Sequence, residues 1–189
     1  IEDQIDILRS RWPMLNPDVA IQYYRNVYPT LQSVPFWMDG PFALVRPGFF
    51  SEKYHEEIAE VLKALGLSGF GSLSSVNLSP VRQANRTRHL LTAVAAMQKS
   101  DIIVVPATFG VTHWGRNRRC CETMSVLGEF DLGSKDVGTM LLANPKIQNY
   151  RDFWIGCAGE YFLSLGGEKI PPVFDFRGDR MSFEYLREF

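Results

Sequence analysis

The chain has 189 residues, 46% of them hydrophobic and 22% charged, with a formal net charge of −1. This balance predicts a globular domain over 1–189, with 1–28 as an appended helical pair, and excludes a global field that would drive binding to nucleic acid or membrane. No apolar run reaches the roughly 18–20 residues of a spanning helix, and the opening Ile-Glu-Asp lacks the basic-then-apolar order of a signal peptide.

Ile1, Ile5, Leu8 and Trp12 fall on one face of a helix that Pro13 ends. Asn16-Pro17-Asp18 reads as a cap, a first-turn proline and an acid at the positive end, opening a helix to about Tyr28. Phe42–Arg46 is a short strand before Pro47-Gly48. From Ser51, the spacing of Ile58, Val61, Leu62 and Leu65 gives a helical core stripe, with Gly66 placed to end it. Ser79-Pro80 predicts another helix to about Gln98, burying Leu90, Leu91, Val94 and Met97. On that helix Arg82 and Arg86 stand four apart and share a face.

Residues 102–109 form an apolar, β-branched strand, and a short helix is expected over 118–127. Ser134 is expected to cap a helix ending at Asn144-Pro145, with Val137, Leu141 and Leu142 inward. Phe153–Gly159 is a weaker strand, interrupted by two glycines. Residues 173–185 read as a hairpin turning at Gly178-Asp179. Its register sets Phe174 against Phe183, Phe176 against Met181, and Asp175 against Ser182 on a polar face. That turn also accounts for the Arg177-Gly-Asp179 tripeptide. Strands separated by helices, with parallel units at 42–46 and 102–109, predict an α+β or irregular α/β fold. Its mixed sheet would carry flanking helices and the C-terminal antiparallel hairpin.

Charge is uneven along the chain. Residues 80–119 hold Arg82, Arg86, Arg88, Lys99, Arg116, Arg118 and Arg119 against Asp101 alone, a surplus of six that the remaining residues reverse. The strand at 102–109 empties into a segment with His113, Trp114, Arg116, Arg118 and Arg119. Loops at strand ends are where α/β proteins place ligands, and guanidinium groups suit phosphate or carboxylate. The expected site is therefore an anion site for a phosphate, nucleotide or carboxylate. Arg116, Arg118, Arg119, Arg82 and Arg86 would bind it, with His113 and Glu122 as acid/base groups if the protein is an enzyme on a phosphorylated substrate.

Two other readings stand beside it. The strip Arg82, Arg86, Arg88 and His89, with Trp114 for stacking, would serve a nucleic-acid-binding module. Alternatively, the arginines pair with acids in a structural or interaction domain that takes a protein partner. His55, His89 and His113 are scattered, so no metal is assigned, and no fingerprint names a cofactor. Cys120, Cys121 and Cys157, an odd number with an adjacent pair, point to a reducing compartment, the cytoplasm.

Overall fold

A computed structural model describes residues 1–31, 38–67, 78, 80–109, 130–149, 153–163, 166–176 and 181–185. In chain order the elements are α1 (Glu2–Arg11), α2 (Asp18–Asn26), β1 (Gly40–Val45), α3 (Tyr54–Ala64), β2 (Val81–Gln83), α4 (Asn85–Gln98) and β3 (Ile102–Ala107). They continue as α5 (Ser134–Ala143), β4 (Trp154–Gly156), β5 (Glu160–Leu163), β6 (Lys169–Ile170), β7 (Pro172–Asp175) and β8 (Ser182–Tyr185). The fold is α+β, and the described strands form three small sheets: β1–β3, β2–β5–β6 and β4–β7–β8.

Every described pairing is antiparallel. The parallel units expected at 42–46 and 102–109 are in fact each other's antiparallel partners, from Gly40 opposite Ala107 to Val45 opposite Ile102. Their sequences read as parallel because both faces of the ribbon are buried, which removes the usual polar alternation. On one face Ala43, Val45, Ile102 and Val104 join Ile5, Leu8, Trp12 and Ala20 of the first two helices and their flanks. On the other, Phe42, Leu44, Ile103 and Val105 meet Leu91 of α4 and Met140 of α5.

A two-stranded ribbon has two open edges, and polar side chains close both. Gln4 accepts from Ala43 N at 2.9 Å and donates to the Pro41 carbonyl at 3.3 Å. Further along β1, Lys135 Nζ donates to the Val45 carbonyl. On β3, Gln98 donates to the Val104 carbonyl and accepts from Val104 N, both at 2.8 Å. This corrects the expected face of α4. Gln98 is buried while Met97 is 73% exposed, because an unpaired strand edge needs an amide more than a thioether.

The start of α4 is corrected as well. Val81–Gln83 do not continue a helix from Ser79-Pro80; they pair with Glu160–Phe162, and the helix begins at Asn85. Strand pairing overrides the proline signal, so Arg82 and Arg86 share no helix face. The stop signal at Gly66 holds: its φ is +77°, and Gly66 N and Leu67 N bond the Lys63 and Leu62 carbonyls at 3.0 and 2.9 Å.

Phe174 faces Phe183 and Asp175 faces Ser182, as the hairpin register requires, with Phe174, Phe176 and Phe183 buried. The turn at Gly178-Asp179 lies outside the described residues. Asp175, expected on a polar face, is buried, because β7 is the central strand and Trp154 of β4 lies opposite it on its other side.

Helix α5 is the hub. Ala143 joins the cluster beneath α1, Met140 the one beneath α4, and Val137 and Leu141 the one containing Phe174. A Cβ on Gly138 would stand 2.6 Å from Val61 Cγ1, so α3 approaches at glycine distance. A helix covered on every side must also bury its polar first turn. Ser134, Lys135 and Asp136 are each at most 1% exposed.

Candidate functional site

Of the residues expected to bind an anion, Arg82 and Arg86 are described; His113, Arg116, Arg118, Arg119 and Glu122 lie outside the described residues. Arg82 is exposed on β2, opposite Tyr161, and its Nη1 donates to the Val81 carbonyl at 3.0 Å. Arg86, Arg88 and His89 are exposed at the start of α4. Arg88 donates to Asn85 Oδ1 at 3.1 Å, and Arg86 makes no hydrogen bond or ion pair among the described residues.

That helix start is electrically unusual. Ala84, without a side-chain acceptor, stands at the cap position, and no acid occupies the first turn. Helix N-termini carry about half a positive charge and normally attract acids. Here the first turn adds cations instead.

The two stems of the segment 110–129 both return to this neighbourhood. At the leaving end, Thr108 Oγ1 and Phe109 N donate to Asp39 Oδ2 at 2.9 and 2.8 Å. Phe109 packs edge-on against Phe42, and Phe109 and Phe130 both join the cluster of Leu91 and Val94 on α4. At the returning end, Thr87 Oγ1 of α4 donates to the Asp131 carbonyl at 2.7 Å. The arginine-bearing segment therefore leaves and re-enters the described fold beside the helix whose first turn is basic.

A second polar centre lies under α5. Glu160 opens β5 and is fully buried. Its Oε2 accepts from Ser134 N at 3.0 Å and from the Tyr54 hydroxyl at 2.5 Å, and its Oε1 accepts from Ser134 Oγ. Glu160 thus caps α5 from 26 residues away, and Ser134, expected to be the cap itself, is the first helical residue that receives one. Gly133 is needed there, since a Cβ would overlap the Tyr54 hydroxyl. Asp136 follows in the same turn. Its Oδ1 stands 3.4 Å from Lys135 Nζ, an ion pair without hydrogen-bond geometry, and neither carboxylate oxygen has a hydrogen-bond partner.

Burial dominates the titration of this nest. It lifts the Glu160 carboxyl from 4.5 to about 7, against the hydrogen bonds of Ser134 and Tyr54, while the charge of Asp136 adds to the rise. Asp136 is raised by burial too, with Lys135 opposing. Tyr54 is only partly buried, yet its hydroxyl meets the buried carboxylate, and burial followed by the Glu160 charge pushes it well above the ordinary phenol. The Cys157 thiol rises well above its ordinary value for the same reasons, which keeps it protonated and unreactive.

No pattern in the sequence singles out Glu160. Its partners come from α3 and α5, and no spacing in the chain records that. The nest is sealed, so it can hold a proton but cannot meet a substrate. No group of three or more His, Cys, Asp or Glu side chains that would hold a metal occurs among the described residues, and no described helix is long and apolar enough to cross a membrane. No known protein family, curated protein or solved structure matches the chain.

Proposed function

We propose that this protein binds an anionic ligand, a phosphate, nucleotide or carboxylate, at the start of α4, with the segment 110–129 completing the site. The observation that carries the reading is the first turn of α4. It has Arg86 and Arg88, no acid and no side-chain cap, at the end of the helix that already favours anions. Arg82 on the adjoining strand adds a third guanidinium. Anchoring of Phe109 and Phe130 on the α4 cluster supports a segment whose Arg116, Arg118 and Arg119 reach the same ligand. In an enzyme acting on a phosphorylated substrate, His113 and Glu122 would move protons while the arginines hold the charge.

Titration with sulfate, followed by backbone amide NMR, tests this. The amides of Asn85–Arg88 are expected to shift. Arg86→Ala, Arg118→Ala and Arg119→Ala should each weaken binding by roughly 1.5–3 kcal/mol, with little change in stability. Substitutions that unfold the protein, yet leave sulfate affinity intact in the folded fraction, would make the arginines structural and hand the lead to the interaction-domain reading.

The exposure of Arg82, Arg86, Arg88 and His89 favours one second reading, phosphate contacts along a nucleic acid. No binding of single- or double-stranded oligonucleotides at low salt would remove it. The odd cysteine count and the inert Cys157 thiol fit a reducing setting, and the cytoplasm is the proposed location.

A further inference from the structure

The nest under α5 holds two buried carboxyl groups, Asp136 and Glu160, and one buried cation, Lys135. Lys135 is already committed to closing the edge of β1 at the Val45 carbonyl. Two ionised carboxylates against one ammonium would leave a net negative charge in the interior, which a low-dielectric medium strongly disfavours. The hydrogen bonds are unevenly shared. Glu160 receives three, and Asp136 receives none although its oxygens are buried. Burial favours the neutral state of Asp136, against the Lys135 ammonium 3.4 Å away.

The geometry points to a proton-controlled joint: Asp136 and Glu160 together carry one proton in the folded protein, and release of that proton to solvent loosens the seat shared by α5 and α4. Proton and pair belong together, so the titration is assigned to neither acid alone. Among the described residues, the groups facing the pair are the Tyr54 hydroxyl from α3, Ser134 and Lys135 from α5, and the Cys157 thiol from the turn before β5. Among them only Lys135 is cationic, and it offsets one negative charge. The rise of Glu160 to about 7 agrees with a proton retained near neutrality.

What the joint moves follows from the backbone around it. Gly159 N donates to the Leu132 carbonyl at 3.0 Å, and Ala84 N donates to the Gly159 carbonyl at 2.8 Å. Thr87 Oγ1 binds the Asp131 carbonyl on the same strip. A closed circuit therefore links Glu160 through Gly159 to Ala84, through Thr87 to Asp131, and through Gly133 and Ser134 back to the Glu160 carboxylate. Charging the second carboxylate strains this circuit at Ser134 and at Ala84 together. The joint does not depend on an anion binding at α4, although it lies directly beneath that helix start.

Denaturant unfolding of the wild type, Glu160→Gln and Asp136→Asn from pH 5 to 8 tests the proton. In the wild type the unfolding constant should rise about tenfold per pH unit between roughly pH 5.5 and 6.5, the signature of one proton bound only in the folded state. Each substitution should flatten that slope. Histidine titration would survive both substitutions, so a slope unchanged in both variants overturns the proposal, as does a flat wild-type profile. Hydrogen exchange reads the joint: above pH 7 the protection factors of the Ser134 and Ala84 amides, corrected for intrinsic rate, should fall together in the wild type. Protection that stays constant to pH 9 overturns the coupling. Should the variants fail to fold, side-chain carboxyl carbon shifts in the wild type decide the matter. Ordinary midpoints for both Asp136 and Glu160 would refute the shared proton.

Discussion

Helices α4 and α5 both start beside Gly159–Glu160, yet α5 begins in the interior under a carboxylate and α4 begins at the surface among arginines. Each start presents the positive end of a helix dipole. At α5 the fold answers that charge internally, with Glu160 on the N–H of Ser134 and Asp136 in the first turn. At α4 nothing described answers it, and Arg86 and Arg88 add to it. An internal answer contributes stability and leaves no role for a ligand. An unanswered start gives up a few tenths of a kcal/mol or more, which is what an anion bound at the proposed site would gain.

The largest way to break the comparison is to remove the internal answer. Glu160→Ala leaves the Ser134 and Tyr54 donors buried without an acceptor, and should destabilise the protein by about 3–5 kcal/mol in denaturant unfolding. A loss below 1 kcal/mol would mean that water or a neighbour replaces the cap, and that water reaches the start of α5.

Proton linkage comes next. The Asp136–Glu160 pair keeps a proton in the folded protein, with the Glu160 carboxyl raised to about 7, so the stability that proton contributes is fully present below about pH 4.5 and is lost as pH rises through about 7. The loss across that window should be on the order of 3 kcal/mol, read as a falling melting temperature toward pH 8. A stability that stays flat over the same window would mark Glu160 as ionised throughout.

Gly159 touches both helix starts, so a change there sharpens the contrast. A Cβ at Gly159 would fall within 3.0 Å of the Asp131 and Gly133 backbone. Gly159→Ala should cost about 1–3 kcal/mol, the range for overpacking, and should lower amide protection at both Ser134 and Ala84. Loss at only one of them would separate the two starts.

The smallest effect is the most discriminating. Arg86→Glu gives α4 the first-turn acid that α5 already has. It should stabilise the protein by about 0.3–1 kcal/mol while abolishing sulfate binding. A variant that binds sulfate as well as the wild type would remove Arg86 from the anion site.

Where local pattern and tertiary environment agree, the sequence was readable. The stripe Ile58, Val61 and Leu62, the left-handed stop at Gly66 and the Phe174–Phe183 register follow from spacing and turn chemistry alone. Readings failed where a distant element set the outcome. Val81–Gln83 left the helical pattern because β5 supplied a partner, and Gln98 displaced Met97 inward because the β3 edge needed an amide. Of the candidate site, Arg82 and Arg86 were legible as a basic strip, but their placement on a strand and a helix start was not.

By itself, the sequence determined the α+β class, most of the helices, the hairpin register and the concentration of arginine between residues 80 and 119. These depend on periodicity, turn residues and charge, which act over a few neighbouring positions. Only the tertiary structure decided that β1 and β3 run antiparallel, that Lys135 and Asp136 are buried, and that Glu160 caps α5. Burial and charge pairing depend on which distant segments meet, and a carboxylate takes its chemistry from the groups that surround it in space.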